Sequence, residues 1–289
     1  MEIVSSKELI KWIDAQIIYG GNEDSLYFLL NIIGGVSKSE INLLKIKPSN
    51  EVKINESLDL MAAKWKCFID TKRPIQYVCK SAYWRDLKLE VTQDVLIPRL
   101  ETEQIIEIVC SLFPSNDSQF IFADLGTGSG AISIAISLLR PNWKGLASDI
   151  DKRALDVAAR NLSSISPNSD ISFFCGDWWD PLVGFSKKID LAIVNPPYIP
   201  RKVYEDLPYE VKHFEPEIAL CGGDDGLDSI NKVISKAPEY LRSKGWLIIE
   251  NHFDQGDKLK NIFFDHGFES IKLINDCYGI GRFTIGRYK

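Results

Sequence analysis

The chain has 289 residues, 45% apolar and 11% aromatic, enough to build a core and to exclude a disordered protein. Its 34 Lys and Arg are outnumbered by 40 Asp and Glu, giving a net charge of −6 and an isoelectric point near 5.3, which disfavours a long polyanion as main partner. No apolar run reaches the ~18 residues of a membrane-spanning helix, and Met1–Glu8 lacks the basic-then-apolar order of a secretion signal, so a cytoplasmic protein is expected.

The six cysteines lie far apart with no C-x-x-C pair, and the three histidines stand at no ligand spacing. Reduced, packed thiols and no metal are expected.

Residues 1–72 read as a helical domain. Ser5-Ser6-Lys7-Glu8 has capping-box spacing, and Leu9, Ile10, Ile13 and Ile17 recur at helical intervals. Gly20-Gly21 ends that helix. Leu26, Leu29, Leu30 and Ile33 mark a second, stopped at Gly34-Gly35, and Ser37-Lys38-Ser39-Glu40 offers another box. A longer helix is expected over 52–69, through Leu58, Met61, Ala62, Trp65 and Phe68. With no cluster of reactive residues, this bundle suits docking rather than chemistry.

Residues 73–95 read as a linking β-hairpin, with Gln76-Tyr77-Val78 and Leu87–Val91 as strands joined through Ser81–Trp84. The remainder, 96–289, reads as the catalytic domain. Glu101 and Glu103 flank Thr102 at the start of a helix through Ile105, Ile106, Val109 and Leu112, where negative charge suits the helix dipole. From residue 120 strands and helices alternate, which predicts an α/β domain with a mostly parallel sheet. Strands are expected at 120–123, 145–148, 171–174, 189–194 and 246–250. Two further strands, at 268–274 and 282–285, are expected to form an antiparallel pair at one edge.

Two motifs fall at strand ends. Gly126, Gly128 and Gly130, in Asp124-Leu125-Gly126-Thr127-Gly128-Ser129-Gly130, permit positive φ and close approach of a ligand. The loop lacks the Gly-Lys-Ser/Thr ending of a P-loop and departs from the dinucleotide G-x-G-x-x-G form. Asp124 in front of it suits an ammonium-bearing ligand and would repel a pyrophosphate, which points to S-adenosyl-L-methionine. Asp149, ending the second strand, can take two ribose hydroxyls, and Asp177-Trp178, after the third, can bracket an adenine. Each residue alone is more often a helix cap or core residue; their succession at three strand ends is what carries the reading.

The second motif, Asn195-Pro196-Pro197-Tyr198, follows the apolar run Ile189–Val194, which reads as a strand buried on both faces. An open α/β sheet binds its ligands at that carboxyl edge. An amide nitrogen is a poor nucleophile because its lone pair is delocalised. The Asn195 side-chain oxygen and the Pro196 carbonyl could each accept one N–H and turn the lone pair towards a sulfonium methyl, with Tyr198 stacked on the amide plane. Positioning and preorganisation would then carry the reaction.

At these residues the chain resembles Rossmann-like class I methyltransferases that act on a planar-conjugated nitrogen. Further stretches resemble the HemK/PrmC-type peptide chain release factor glutamine methyltransferases: Pro74–Val78, Val95–Glu103, Asn195–Ile199, Glu215-Pro216-Glu217 with Ala219-Leu220, and Gly222–Leu227. The likeness spans nearly the whole chain. It implies cofactor contacts from Gly126, Thr127, Gly128, Ser129, Gly130, Asp149, Trp178 and Asn195, and an acceptor glutamine held by Asn195, Pro196, Pro197 and Tyr198. It further implies a class I release factor as protein substrate, methylated at its Gly-Gly-Gln glutamine. No membrane, no direct nucleic-acid contact and a monomeric state are expected beside it. Three departures stand out: Leu100 replaces a second proline, Cys79 or Lys80 falls where a glycine is usual, and His252 takes a glycine position in Glu250–Gln255.

Two other acceptors use the same chemistry, a ribosomal-protein glutamine and a nucleic-acid adenine. The adenine reading wants a basic groove, whereas 200–225 carries Arg201, Lys202 and Lys212 against seven acidic residues, Glu205, Asp206, Glu210, Glu215, Glu217, Asp224 and Asp225. A binding module that has lost activity is the non-enzymatic alternative, opposed by the intact Asn195 motif and glycine loop.

Overall fold

A computed structural model describes residues 1–115 and 119–289 and divides the chain into two compact units, 1–81 with 209–214 and 82–208 with 215–289.

The first unit contains β1 (Glu2–Val4), α1 (Ser6–Tyr19), α2 (Glu23–Leu29), α3 (Lys38–Ile46), β2 (Val52–Ile54), α4 (Leu58–Thr71) and α5 (Ile75–Cys79). Ser5 Oγ accepts the Glu8 N–H, and Ser37 with Glu40 forms a reciprocal capping box. The helix expected over 52–69 starts only at Leu58, with Ser57 as its cap. Val52–Ile54 is instead a strand antiparallel to β1, with Val52 and Ile54 buried and Lys53 out, a period of two. Leu9, Ile13, Leu26, Ile41, Met61 and Trp65 form the core. The short helix Tyr209–Phe214 belongs to this unit, with Lys72 Nζ 5.7 Å from the Tyr209 ring centre and the Arg73 guanidinium 5.5 Å from that of Phe214.

Gln76-Tyr77-Val78, expected as a strand, is the middle of α5. Pro74 presets the entry, and Ile75, Val78 and Cys79 pack into the unit's core, so tertiary burial overrides the strand preference of Tyr and Val. The hairpin forms one step later, as β3 (Ser81–Trp84) and β4 (Leu87–Glu90). The residues expected to join its strands are its first strand.

The second unit is built on a seven-stranded sheet. Its strands are β5 (Ile121–Leu125), β6 (Lys144–Asp149), β7 (Ile171–Cys175), β8 (Ile189–Val194), β9 (Leu241–Glu250), β10 (Phe268–Asn275) and β11 (Gly281–Tyr288), in the order β10-β11-β9-β8-β5-β6-β7. From β9 to β7 neighbours are parallel, while β11 runs antiparallel to β9 and pairs with the edge strand β10, as the sequence leads one to expect. Both faces are covered. Phe122, Leu191, Ile193 and Ile248 pack with α6 (Gln104–Leu112) and α7 (Ala131–Leu139). Ala123, Leu125, Ala192, Val194 and Ile249 face the opposite cluster with α9 (Asp228–Tyr240) and α10 (Gly256–Asp265), α8 being Lys152–Ile165. This is why β8 reads as an unbroken apolar run. The register sets Leu125 opposite both Ser148 and Val194, so the chain leaves β5, β6 and β8 at one edge, where the strand order reverses.

Candidate active site

At that edge a cavity of about 280 Å³ is walled by Gly126–Ser129, Asp149, Ile150, Asp177, Trp178, Asn195 and Pro197, with Trp84, Leu96, Pro98, Arg99 and Thr102 among the residues closing it. The glycine loop is held by backbone geometry. The N–H groups of Gly126 and Thr127 both donate to the Ser148 carbonyl, at 2.8 and 2.9 Å, and Gly128 N–H donates to Asp149 Oδ2 at 2.9 Å. At Gly126, φ is +75°, which favours glycine, and a Cβ there would sit 3.0 Å from the Trp178 ring, a tight contact.

Asp124 is placed behind the loop and is absent from the cavity wall. Its Oδ2 accepts from Thr127 Oγ1 (2.7 Å), Ser133 N (3.2 Å) and Ser133 Oγ (2.8 Å), while the buried Oδ1 has no hydrogen-bond partner among the described residues. Burial pushes its carboxyl up to about 6, against the pull of those donors. Its visible work is to shape the loop from within. Asn161, which belongs to no recognisable motif, clamps the loop from outside: its Nδ2 donates to the carbonyls of Ser129 and Glu90, both at 2.9 Å.

Asp149 carries a carboxyl raised by burial, and its Oδ1 accepts the Asp151 N–H at 3.0 Å. Asp177 faces Lys232 Nζ at 3.3 Å. Trp178 takes a left-handed φ of +49°, and its carbonyl accepts from Ser148 Oγ at 2.8 Å.

On the opposite side Asn195 projects from the end of β8. Its Nδ2 donates to Thr102 Oγ1 at 3.2 Å, Thr102 Oγ1 donates to Glu250 Oε2 at 2.8 Å, and Tyr198 donates its hydroxyl proton to Glu250 Oε1 at 3.1 Å. Glu250 ends β9 and is fully buried, which pushes its carboxyl up to about 7, opposed by those two donors. Burial and the Glu250 charge raise the Tyr198 phenol above its usual range. Pro197 is in the cavity wall, whereas Gly130, Pro196 and Tyr198 are not. Through its hydroxyl Tyr198 braces the loop against Glu250.

Further contacts fix the Asn195 loop. Gln255 Nε2 donates to the carbonyls of Tyr198 (3.1 Å) and Asp225 (3.2 Å). A Cβ at Gly222 would overlap the Pro197 carbonyl oxygen, and one at Gly226 that of Tyr198. Arg99 Nη2 pairs with the buried Glu215 at 2.7 Å, and Trp84 Nε1 donates to the Arg99 carbonyl at 2.8 Å. The scattered stretches at 95–103, 195–199, 215–217 and 222–227 thus form one connected structure.

A family model described as the methyltransferase small domain matches residues 106–207. The chain is 38% identical to a release factor glutamine methyltransferase of Prochlorococcus marinus over 97% of this chain and 96% of that one. It is 36% identical to that of Thermosynechococcus vestitus over 89% and 88%. The chain belongs to the release factor glutamine methyltransferase family. Among solved structures, the hMettl16 catalytic domain in complex with MAT2A 3'UTR hairpin 6 aligns over 70% of this chain and 75% of that one with a TM-score of 0.55, at 16% identity, a likeness of fold.

The three departures from the family pattern have local explanations. Lys80 caps α5 at φ +50°, the conformation a glycine would take without strain. Leu100 is 67% exposed, with a φ of −63° that a proline would also take. His252 pairs its Nδ1 with Asp254 at 2.6 Å, and its N–H donates to Gln255 Oε1 at 2.9 Å.

Proposed function

We propose that the chain transfers a methyl group from S-adenosyl-L-methionine to N5 of the glutamine in the Gly-Gly-Gln motif of class I peptide chain release factors, as a cytoplasmic monomer with no direct nucleic-acid partner. The observation that carries the reading is the commitment of Asn195 Nδ2 to Thr102, which leaves Oδ1 as the atom Asn195 offers at the cavity. An acceptor for N–H at this point suits an amide NH₂. The relatives' shared name supports the choice of protein substrate.

The residues present fit the cofactor. The left-handed Gly126 lets the loop backbone approach a ligand closely, Asp149 offers carboxylate oxygens, and the buried Asp124 Oδ1, without a hydrogen-bond partner among the described residues, can answer an ammonium through the loop. When bound, S-adenosyl-L-methionine supplies an electrophilic methyl on a sulfonium. In our reading Gly126–Gly130 hold its amino-acid end, Asp149 the ribose hydroxyls, and Asp177 with Trp178 the adenine.

On the acceptor side, Asn195 Oδ1 accepts one amide N–H at the cavity wall and Pro197 closes on the side chain; the second N–H is assigned to the Pro196 carbonyl, which lies between these two wall residues in the chain without itself lining the cavity. This grip disfavours the planar amide and favours a pyramidal nitrogen. Tyr198 braces the loop through Glu250. A strong base is unnecessary, because the nitrogen proton becomes acidic on alkylation and leaves to solvent. Residues 1–72 dock the release factor.

Incubation with tritiated cofactor and, separately, a class I release factor, a ribosomal protein and adenine-bearing DNA tests the reading. Label at one glutamine of the release factor is expected. Label in DNA or the ribosomal protein alone, or in none of the three, overturns it.

A further inference from the structure

The chain Asn195–Thr102–Glu250–Tyr198 has a direction. A hydroxyl has one proton to donate, and a carboxylate has none. Glu250 accepts from Thr102 and from Tyr198, so the Thr102 proton is spent on Glu250. Thr102 Oγ1 can then only accept from Asn195, and of the two ends of that amide only Nδ2 can donate to it. The order of donors is thereby propagated from a buried carboxylate to the cavity, across residues 148 and 93 positions apart in sequence.

We propose that Thr102 and Glu250 are positioning residues that lock the polarity of the Asn195 amide, and so make the site select an N–H-bearing acceptor over an isosteric oxygen acceptor. This rests on the reading of the acceptor as a glutamine amide. Reversing the chain would turn Nδ2 to the cavity, where it would meet an amide NH₂ donor to donor and would instead suit a carboxylate. Glutamine and glutamate have the same shape, so side-chain volume does not separate them and hydrogen-bond polarity must.

The burial of Glu250 adds a second signature. Ionised, it accepts at both oxygens; protonated, it donates from one of them and can reverse Thr102. Around it stand the Thr102 and Tyr198 hydroxyls, with Arg282 and Glu101 as the charges acting on it, and Arg282 is itself paired with Asp276 at 2.7 Å. Turnover is expected to rise as pH passes through about 7, where its carboxyl ionises.

The test uses the full chain with a class I release factor and with the same factor carrying glutamate in place of the acceptor glutamine. Wild-type protein should label the first and bind it at least about tenfold more tightly than the second. Thr102→Val should lower turnover roughly 10- to 100-fold, the usual effect of removing a group that orients a contact residue, and bring the two affinities within about threefold. Cofactor affinity should not change, and Thr102→Ser should restore both turnover and preference. Unchanged turnover and preference in Thr102→Val would overturn the proposal. If Thr102→Val has no cooperative melting transition, Glu250→Gln decides: loss of the pH step together with a weakened preference supports the proposal, and retention of either overturns it. A wild-type protein that labels no release factor would instead defeat the proposed function, a separate outcome.

Discussion

The two sides of the cavity are built differently. On the side we assign to the cofactor the wall is a run of consecutive residues, Gly126–Ser129, with N–H groups tied to the Ser148 carbonyl and to Asp149. Its shape comes from backbone conformation and from the absence of side chains. On the side we assign to the acceptor, Thr102, Asn195 and Glu250 reach one another from three distant segments, and their arrangement depends on which atom carries each proton. A backbone site loses binding by degrees as contacts are removed. A side-chain relay with a fixed direction fails when one link changes.

The strongest test of this contrast is Asn195→Ala. Turnover should fall by about 10²- to 10³-fold, comparable to deleting one preorganised hydrogen-bonding group in an active site, with cofactor affinity within about threefold. Single-turnover labelling and calorimetric titration measure the two, and parallel losses would erase the division between the sides.

Acidity offers the next test. The native state holds the Glu250 proton more tightly than the unfolded chain does, its carboxyl being raised from 4.5 to about 7. Its stabilising contribution is therefore fully present below about pH 4.5 and is lost as pH rises through about 7, by about 3 kcal/mol at most. Glu250→Gln cannot lose it. Urea titrations across this range should show the variant gaining on the wild type as pH rises, and a constant gap would contradict the burial argument. Asp124, raised to about 6 on the cofactor side, contributes with the same sign over a lower window.

Asp149→Ala should act the opposite way to Asn195→Ala. It removes a carboxylate that both lines the cavity and holds the Gly128 N–H. Cofactor binding should weaken about 10- to 100-fold, the worth of one or two hydrogen bonds to a charged group, with a smaller loss of turnover at saturating cofactor. Equilibrium titration followed by rates at saturation separates the terms.

The smallest effect lies outside both sides. Lys80→Gly should stabilise the first unit by at most about 1 kcal/mol, because relief of left-handed strain is partly offset by greater freedom in the unfolded chain. Thermal melting should rise slightly while turnover stays the same.

The sheet was legible because burial on both faces writes continuous apolar runs such as Ile189–Val194, and because the glycine loop and Asn195 sit at strand ends within short motifs. Val52–Ile54 was hidden because three residues cannot establish a period. Tyr77 and Val78 favour extended structure, yet one turn of helix buries Val78 and its neighbours better. Thr102 read as part of a helix start and Glu250 as a strand end. Their meeting is a fact of strand order, which local sequence does not contain. Asp124 stands at the expected strand end, but its place behind the loop, bonded to Thr127 and Ser133 instead of lining the cavity, is set by tertiary packing that the motif does not contain.

The Arg99–Glu215 and Thr102–Glu250 contacts close segments of 116 and 148 residues. Closing so long a segment costs little more free energy than closing a moderate one, because the entropy grows only with the logarithm of length. It is nevertheless slow, since local contacts form first. The glycine loop, by contrast, needs only β5, β6 and the residues between them. The cradle's geometry is thus settled between neighbouring segments of the chain, whereas the direction of the Asn195 amide depends on a contact between residues 148 positions apart.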